Sequence, residues 1–254
     1  MKLSKSERQA QILTELNGTA SLRVAELARR MDVSTETIRR DLDEMTEQGL
    51  LNRTYGGATR SLSSEPAVSE RHTLFISERE RIAKATIPLI RDARILMIGS
   101  GSTTVHVARR IAVEMRDITV LTHAFGVATV LSMNPTIKVL MLPGDYHADE
   151  GATVGVHTVS FLNDYFADAA ILGASGLAED GPTDALIECA SVYSAMVLRS
   201  SRTIVTADHS KHGRIFPARY SSWKKLDQLV TDMAPTGSLA RALTQHNIDV
   251  TIAD

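Results

Sequence analysis

The stretch Ser34-Thr35-Glu36-Thr37-Ile38-Arg39-Arg40-Asp41-Leu42 opens on a helix-capping residue and sets two adjacent arginines among residues of helical character. A serine hydroxyl at this position satisfies one of the free N–H groups of a first helical turn. Ile38, Leu42 and, just beyond, Met45 recur at i, i+4 and i+7, the spacing of one helical face. The segment therefore reads as a helix running to about Gln48 and stopped at Gly49, with Thr35, Glu36 and Arg39 off the apolar stripe. Upstream, Val24, Leu27, Ala28 and Met31 fall at i, i+3, i+4 and i+7 of a second, shorter helix, and Asp32-Val33 makes the turn between the two. Earlier still, Ala10, Ile12, Leu13 and Leu16 lie roughly on one face of a helix from Ser6 to Leu16, ended by Asn17-Gly18. Downstream, Leu50 to Ala58 holds a few extended residues and the pair Gly56-Gly57, the composition of a short β-wing.

Helix, turn, and a second helix that begins Ser, Thr, Thr and continues Arg-Arg is a helix-turn-helix pattern. Such a helix presents its N-terminal turns to the major groove, where arginine bridges guanine O6 and N7. Hydroxyls and the positive helix end meet phosphate oxygens nearby. Ser34, Thr35, Thr37, Arg39 and Arg40 are the candidate contacts, with Arg53 of the wing reaching a phosphate or a minor-groove edge. Glu36 dissents, because a carboxylate repels phosphates unless it accepts from a cytosine amine. The plainer alternative is that Arg39 and Arg40 are solvated charges paired with acids one turn away. Cap, turn and wing together favour the DNA reading.

With 254 residues the chain is long enough for one large domain or two smaller ones. Apolar residues make up 43% and charged residues 23%, with a formal net charge of -2, so nucleic-acid affinity must reside in a local patch. The single cysteine, Cys189, has no partner for an internal disulfide and no metal-ligand spacing around it, and no cofactor or metal is expected. The opening MKLSKSERQA lacks the apolar core of a signal peptide, and no apolar run is long enough to span a bilayer. The expectation is a cytoplasmic protein with no membrane partner.

From Thr59 to Glu70 the composition turns to Ser, Pro and charge, which reads as a linker, and beyond Thr73 the pattern changes. A helix from Ser77 to Ile90 precedes short apolar strands alternating with helices. The expected strands are Arg94–Ile98, Thr119–Leu121, Lys138–Leu142, Ala169–Leu172, Arg202–Thr206, Gln228–Thr231 and Asp249–Ile252. Near-continuous apolar strands that alternate with helices predict a mostly parallel, Rossmann-like α/β sheet covered on both faces. The expected organisation is a winged helix-turn-helix head over 1–58, a linker over 59–74 and an α/β body over 75–254.

Ile98-Gly99-Ser100-Gly101-Ser102-Thr103-Thr104 follows the first of these strands and opens a helix. Glycines permit the turn, and successive N–H groups with hydroxyls suit a phosphate at a helix N-terminus. The turn is neither a Walker sequence nor a dinucleotide fingerprint. In a parallel sheet the ligand lies beyond the strand C-terminal ends. Thr122-His123, Gly144-Asp145, Gly173-Ala174-Ser175-Gly176 and Asp208-His209-Ser210-Lys211 each follow a strand and converge on that rim. His123 and His209 are equally readable as ordinary loop histidines, and Lys211 beside Asp208 as a local ion pair.

Residues 8–42 resemble the DNA-binding region of the DeoR family of bacterial transcriptional regulators. Arg8, Ile12, Leu16 and Ser34-x-x-Thr37-Ile38-Arg39-Arg40-Asp41-Leu42 keep its spacing, and Arg53-Thr54-Tyr55-Gly56-Gly57-Ala58 is similar to its wing ending, which adds Tyr55 to the DNA-binding candidates. The body resembles that family's sensor domain, similar in fold to ribose-5-phosphate isomerases, through "GSGSTT", "GASG" and "ADHSK" in that order. The resemblance implies a repressor of a sugar-catabolic operon. It also implies a sugar phosphate held by Ser100, Gly101, Ser102, Thr103 and Thr104, and a cavity lined by Asp208 and Lys211. Two departures stand out. Gly99 replaces the Asp of the family's Asp-Ser-Gly-Thr-Thr, and Tyr193 stands where its helix commonly carries Lys.

The alternative from another class is a sugar-phosphate isomerase-like enzyme with an accessory head; a third is a metabolite-binding module using the head for protein contacts. Isomerisation needs a positioned carboxylate. The isomerase segment Ile-Asp-Gly-Ala-Asp-Glu is matched here by Ile171-Leu172-Gly173-Ala174-Ser175-Gly176, which has lost its acids and leaves only Asp184 or Glu188 as a substitute base. The reading is a non-enzymatic, ligand-responsive repressor of double-stranded operator DNA. Because one small head buries little surface on DNA, it is expected to be a homo-oligomer, dimer or tetramer.

Overall fold

A computed structural model describes residues 4–18, 21–47, 51–60 and 65–254, which fall into two compact units, Met1–Ser64 and Glu65–Asp254. The head contains α1 (Lys5–Gly18), β1 (Ser21–Arg23), α2 (Val24–Arg30), α3 (Thr35–Glu47), β2 (Leu51–Thr54) and β3 (Gly57–Arg60). Ile12, Leu16, Leu27, Ile38, Leu42 and Met45 meet in one buried cluster, so the helical stripes read from the sequence are the faces that pack. Ser34 caps α3 by accepting the Thr37 N–H at 3.1 Å. Asp32 makes the turn with a left-handed φ of 51°, which aspartate tolerates. The wing carries one strand more than expected, because β1 pairs with β3 on the side opposite β2. Gly57 permits this approach: a Cβ there would lie 1.8 Å from the Leu22 carbonyl oxygen. The expected helix stop at Gln48-Gly49 and the wing start at Leu50 lie outside the described residues, as do residues 61–64 of the linker and the side chains of Ala10 and Leu13.

The body contains α4 (Val68–Arg71), α5 (Ile76–Thr86), β4 (Ile95–Ile98), α6 (Ser102–Glu114), β5 (Thr119–Thr122), α7 (Phe125–Leu131), β6 (Lys138–Met141), β7 (Asp145–His147), β8 (Ala152–Val154), α8 (Val156–Leu162), β9 (Ala169–Leu172), β10 (Gly176–Ala178), β11 (Gly181–Asp184), α9 (Ile187–Leu198), β12 (Thr203–Thr206), β13 (Ala218–Arg219), β14 (Gln228–Thr231), α10 (Gly237–Gln245) and β15 (Asp249–Ile252). Among the described residues, the strands expected from the sequence form one seven-stranded parallel sheet in the order β15-β14-β12-β9-β4-β5-β6. Alternate residues of each strand face opposite layers. Leu96, Ile98 and Ile171 pack with Ile82 of α5 and Val107 of α6, while Met97, Ala170 and Leu172 pack with Val192 and Met196 of α9. Burial on both faces is why the strands read as unbroken apolar runs.

Where the sequence reading differs from the structure, local chemistry accounts for it. The helix expected over Ser77–Ile90 is α up to Thr86 and then a tighter turn from Ile87, because Pro88 cannot continue the i→i−4 ladder. The stretch expected as linker over 59–74 is structured at both ends of its described part. Thr59 and Arg60 pair within β3, and α4 is anchored to the body through a Val68 N–H bond to the Asp149 carbonyl at 2.7 Å. The antiparallel pairs β7–β8 and β10–β11–β13 were not expected; strands of two to four residues are too short to show periodicity.

From β4 the chain works outward through β5 and β6. It then crosses to β9 on the other side and proceeds outward through β12, β14 and β15. The reversal between β4 and β9 is a topological switch point, and loops beyond the carboxyl ends of these strands flank a crevice.

Candidate functional sites in the head and the body

In the head, α3 turns its apolar stripe inward and leaves Thr35, Glu36, Arg39 and Arg40 exposed. Both arginines lie 3.8 Å from Glu36, a contact long enough to leave them available to another anion. Thr37 is half-buried, its hydroxyl 2.9 Å from that of Ser34. Arg53 is less free than expected: its guanidinium is 2.8 Å from Asp43 and donates to the Gly57 carbonyl at 3.0 Å, bracing the wing against α3. Tyr55 projects fully exposed from the wing tip. One residue had a function the sequence did not disclose. Asp41 is buried and forms a two-pronged pair with buried Arg8, at 2.5 Å to Nε and 3.0 Å to Nη2, joining α1 to α3.

In the body, the turn after β4 sits at the switch point. Gly101 has φ of +121°, and α6 starts behind it with no side chain capping its first N–H groups. The turn is fixed from beneath by His123, whose Nε2 accepts the Ser100 N–H at 3.0 Å and whose Nδ1 consequently donates to the Thr153 carbonyl at 2.7 Å. Full burial pushes this imidazole down to about 4, and both its nitrogens are committed to holding the loop. Thr122 and Thr104 are likewise turned inward: Thr122 donates to the Ile98 carbonyl and Thr104 to the Gly101 carbonyl. Gly173 follows β9 so closely that a Cβ there would meet the Ser100 carbonyl oxygen at 3.3 Å.

The cavity between these turns is lined by Ser100, Gly101, Ser102, Thr103, Gly173, Ala174, Ser175, Asp184, Tyr193 and Lys211 among the residues singled out from sequence, and by Arg71 and Glu150 besides. Asp208, expected in the lining, lies behind it. Its buried carboxylate needs a counter-charge and takes Arg79 at 3.2 Å, while its other oxygen accepts the Ser210 N–H. Arg79 in turn donates to the carbonyls of Arg71 and Leu74, so this pair carries the segment that delivers Arg71. Gly144, Asp145 and Gly176 also stand apart from the cavity. Gly144 and Gly176 answer to close packing, since a Cβ would lie 2.0 Å from the Thr158 hydroxyl and 2.4 Å from the Arg214 carbonyl oxygen respectively, and Asp145 is exposed at the start of β7.

The two departures from the family pattern are one packing event. A Cβ on Gly99 would lie 2.7 Å from Cε1 of the buried Tyr193 ring, so the ring fills the space a larger residue at 99 would use. The Tyr193 hydroxyl bonds the Ser100 carbonyl and hydroxyl, each at 2.8 Å. Gly99→Ala should therefore destabilise the body by about 1–3 kcal/mol through overpacking. In combination with Tyr193→Leu the two costs should fall short of their sum. Urea unfolding followed by the fluorescence of Trp223, the sequence's single tryptophan, reads both; a neutral Gly99→Ala would show that the ring has room to move.

Electrostatically the cavity opposes Arg71 and Lys211 to Glu65, Glu150 and Asp184. Burial raises Asp184 to about 7, and burial also raises Glu150 despite Arg71 beside it. Burial acts on Glu65 in the same direction, but Lys211 and Arg71 outweigh it and hold this carboxyl below its ordinary value. Arg71 grips Glu150 at 2.6 and 2.7 Å. Arg71 and Glu65 escaped the sequence reading because they lie in the Ser/Pro-rich stretch taken as linker. Asp184 was noticed as a substitute base, and of that pair only it reaches the cavity, Glu188 being exposed on α9.

A helix-turn-helix head with an exposed arginine pair, followed by a parallel α/β body with a charged cavity at its switch point, defines a ligand-responsive DNA-binding regulator. Residues 8–64 match the DeoR-like helix-turn-helix domain and residues 75–233 the DeoR C terminal sensor domain, and the chain belongs to the DeoR family of transcriptional regulators. It is 29% identical over 254 residues to the HTH-type transcriptional repressor CsqR of Escherichia coli, covering 98% of this chain and 96% of that one. It is 28% identical to the glycerol-3-phosphate regulon repressor of Escherichia coli, covering 98% and 99%. Among solved structures, ribose 5-phosphate isomerase A from Methanocaldococcus jannaschii is similar over 52% of each chain, with 17% identity and a TM-score of 0.39. The relatives are named as repressors, and the chain, with its family, is a transcriptional regulator. No helix among the described residues is long and apolar enough to cross a membrane.

Proposed function

We propose that this protein holds operator DNA with α3 and the wing, represses a carbohydrate-catabolic operon, and releases it when a phosphorylated sugar or polyol enters the body's cavity. One observation carries the reading. The uncapped first turn of α6, Arg71 and Lys211 converge on a single enclosed space at the switch point, a donor set suited to a phosphate. The relative named for the glycerol-3-phosphate regulon supports the same ligand class. Effector and operator then weaken each other's binding by equal factors. A single head contacts few base pairs, so two or more heads on repeated half-sites, in a dimer or tetramer assembled through the body, supply the specificity. Its DNA target places it in the cytoplasm.

The test is fluorescence anisotropy of the full chain on DNA from its own promoter region, titrated with matched pairs of phosphorylated and unphosphorylated sugars and polyols. Release by one phosphorylated compound and not by its parent is the expected result. Binding that no compound in the panel alters would overturn the effector assignment. In the same assay, Arg39→Ala should cost about 1–3 kcal/mol and relax the choice of sequence; unchanged binding would remove Arg39 from the interface.

A further inference from the structure

We propose that the Glu65 carboxylate is an internal ligand of the effector cavity: it occupies the place that the effector's anionic group takes, and binding exchanges one for the other. This rests on the reading of the cavity as the effector site.

Glu65 begins the body unit and stands next to Pro66 in a stretch rich in serine and charge, a composition that normally leaves side chains in water. Its side chain is instead only 2% exposed. It takes an ion pair from the Lys211 ammonium, a hydrogen bond from the Ser175 hydroxyl and an ion pair from Arg71 at 3.1 Å. All three partners line the cavity. They are the positive and hydroxyl groups that a phosphate there would use, and with Glu65 in place each already serves a carboxylate, Arg71 keeping only its buried Nε without a hydrogen-bond partner.

Space gives the same answer. With Glu65 docked, the cavity volume is about 20 Å³, room for about one water. Sites for small molecules run to roughly 300–1,000 Å³, so a sugar phosphate has no place until something leaves. Charge selects what leaves. Both Glu150 oxygens already accept from Arg71 Nη2, and Asp184 adds a further acid to the wall. A phosphate entering beside Glu65 would meet like charge at short range; a phosphate replacing Glu65 inherits Lys211 and Ser175 and leaves the charge count nearly unchanged.

The exchange also supplies a route for the signal. Glu65 directly follows Ser64, the last residue of the head unit, and the next backbone tie to the body is at Val68. Effector binding thereby frees the point at which the chain leaves the body, and by linkage anything that holds Glu65 docked disfavours the effector.

The occupant lowers apparent affinity by the fraction of time it is docked. If Glu65 is in place at least nine-tenths of the time, removing it tightens anion binding about tenfold or more. Inorganic phosphate, titrated calorimetrically into the full-length protein, is the probe, with wild type compared to Glu65→Ala and to Glu65→Gln. The amide variant keeps the size and the contact to Ser175, and so guards against a folding defect. Tighter phosphate binding in both variants, abolished when Lys211→Met is added, is the expected result. Equal, weaker or absent binding in the Glu65 variants, with Lys211→Met still removing whatever binding the wild type shows, would overturn the exchange and leave the cavity reading standing. Phosphate binding indifferent to Lys211→Met would overturn both.

Discussion

Asp41→Ala should unfold the head and abolish operator binding while leaving the body folded. Arg8 and Asp41 are both buried, at 8% and 3% exposure, and their two-pronged contact is made inside the head's core between α1 and α3. Removing one partner strands the other as a buried charge, a loss of about 3–5 kcal/mol. The head is a unit of some sixty residues, a size at which a single core supplies roughly that much in total. Far-UV circular dichroism should lose the head's helical signal. The fluorescence of Trp223, which is buried in the body, should be unchanged, and phosphate binding to the body should persist. The double variant Arg8→Met/Asp41→Leu should recover most of the stability, because a well-packed apolar pair removes the desolvation cost along with the attraction. If Asp41→Ala lowers the head's stability by less than about 1 kcal/mol, the pair is not what joins the two helices.

That pair marks where the sequence stopped being legible. The cap at Ser34 and the stripe of Ile38, Leu42 and Met45 are local signals, and the structure realises them. The parallel sheet was legible for a similar reason, since strands buried on both faces cannot hide their composition. Arg8 and Asp41, thirty-three positions apart, stand in the sequence only as residues of the family's spacing, because nothing local records which charges are buried together. Gly99 and Tyr193 each looked like a lost family residue; only in three dimensions does one make room for the other. His123 was drawn to the cavity by its place after β5, yet it works from below, and a histidine committed at both nitrogens has the same spacing as a free one. Arg71 and Glu65 were hidden by composition. A Ser/Pro-rich stretch reads as solvated chain, and the partners that bury these two, Glu150 and Lys211, lie far along the sequence.

The body should lose stability as pH rises from about 4 to 7, through Asp184. Burial lifts this carboxyl to about 7 in the folded protein, against an ordinary value of 3.8. Between those values the folded state holds a proton that the unfolded state has released, so each rise in pH favours unfolding. The contribution is complete below pH 4, declines through the interval and is spent above pH 7, a span on the order of 4 kcal/mol. His123 and His106, both pushed down to about 4 by burial, act in the opposite direction, destabilising the fold as pH falls below 6.5. The raw profile is therefore a sum, and the informative quantity is a difference. Asp184→Asn keeps an acceptor for the Leu186 N–H, now at 2.9 Å, and cannot ionise. Its stability advantage over wild type, from urea unfolding read at Trp223, should grow from near zero at pH 4 to on the order of 4 kcal/mol at pH 8. A constant offset across that range would mean that Asp184 ionises as if in water. The same proton bears on the ligand: below pH 7 the acid is neutral and the cavity tolerates an incoming anion, and above it Asp184 joins Glu150 in repelling one. Inorganic phosphate gains its second charge over the same interval in both proteins, so the readout is the ratio of wild-type to Asp184→Asn affinity, which should fall between pH 7 and 8 as Asp184 ionises.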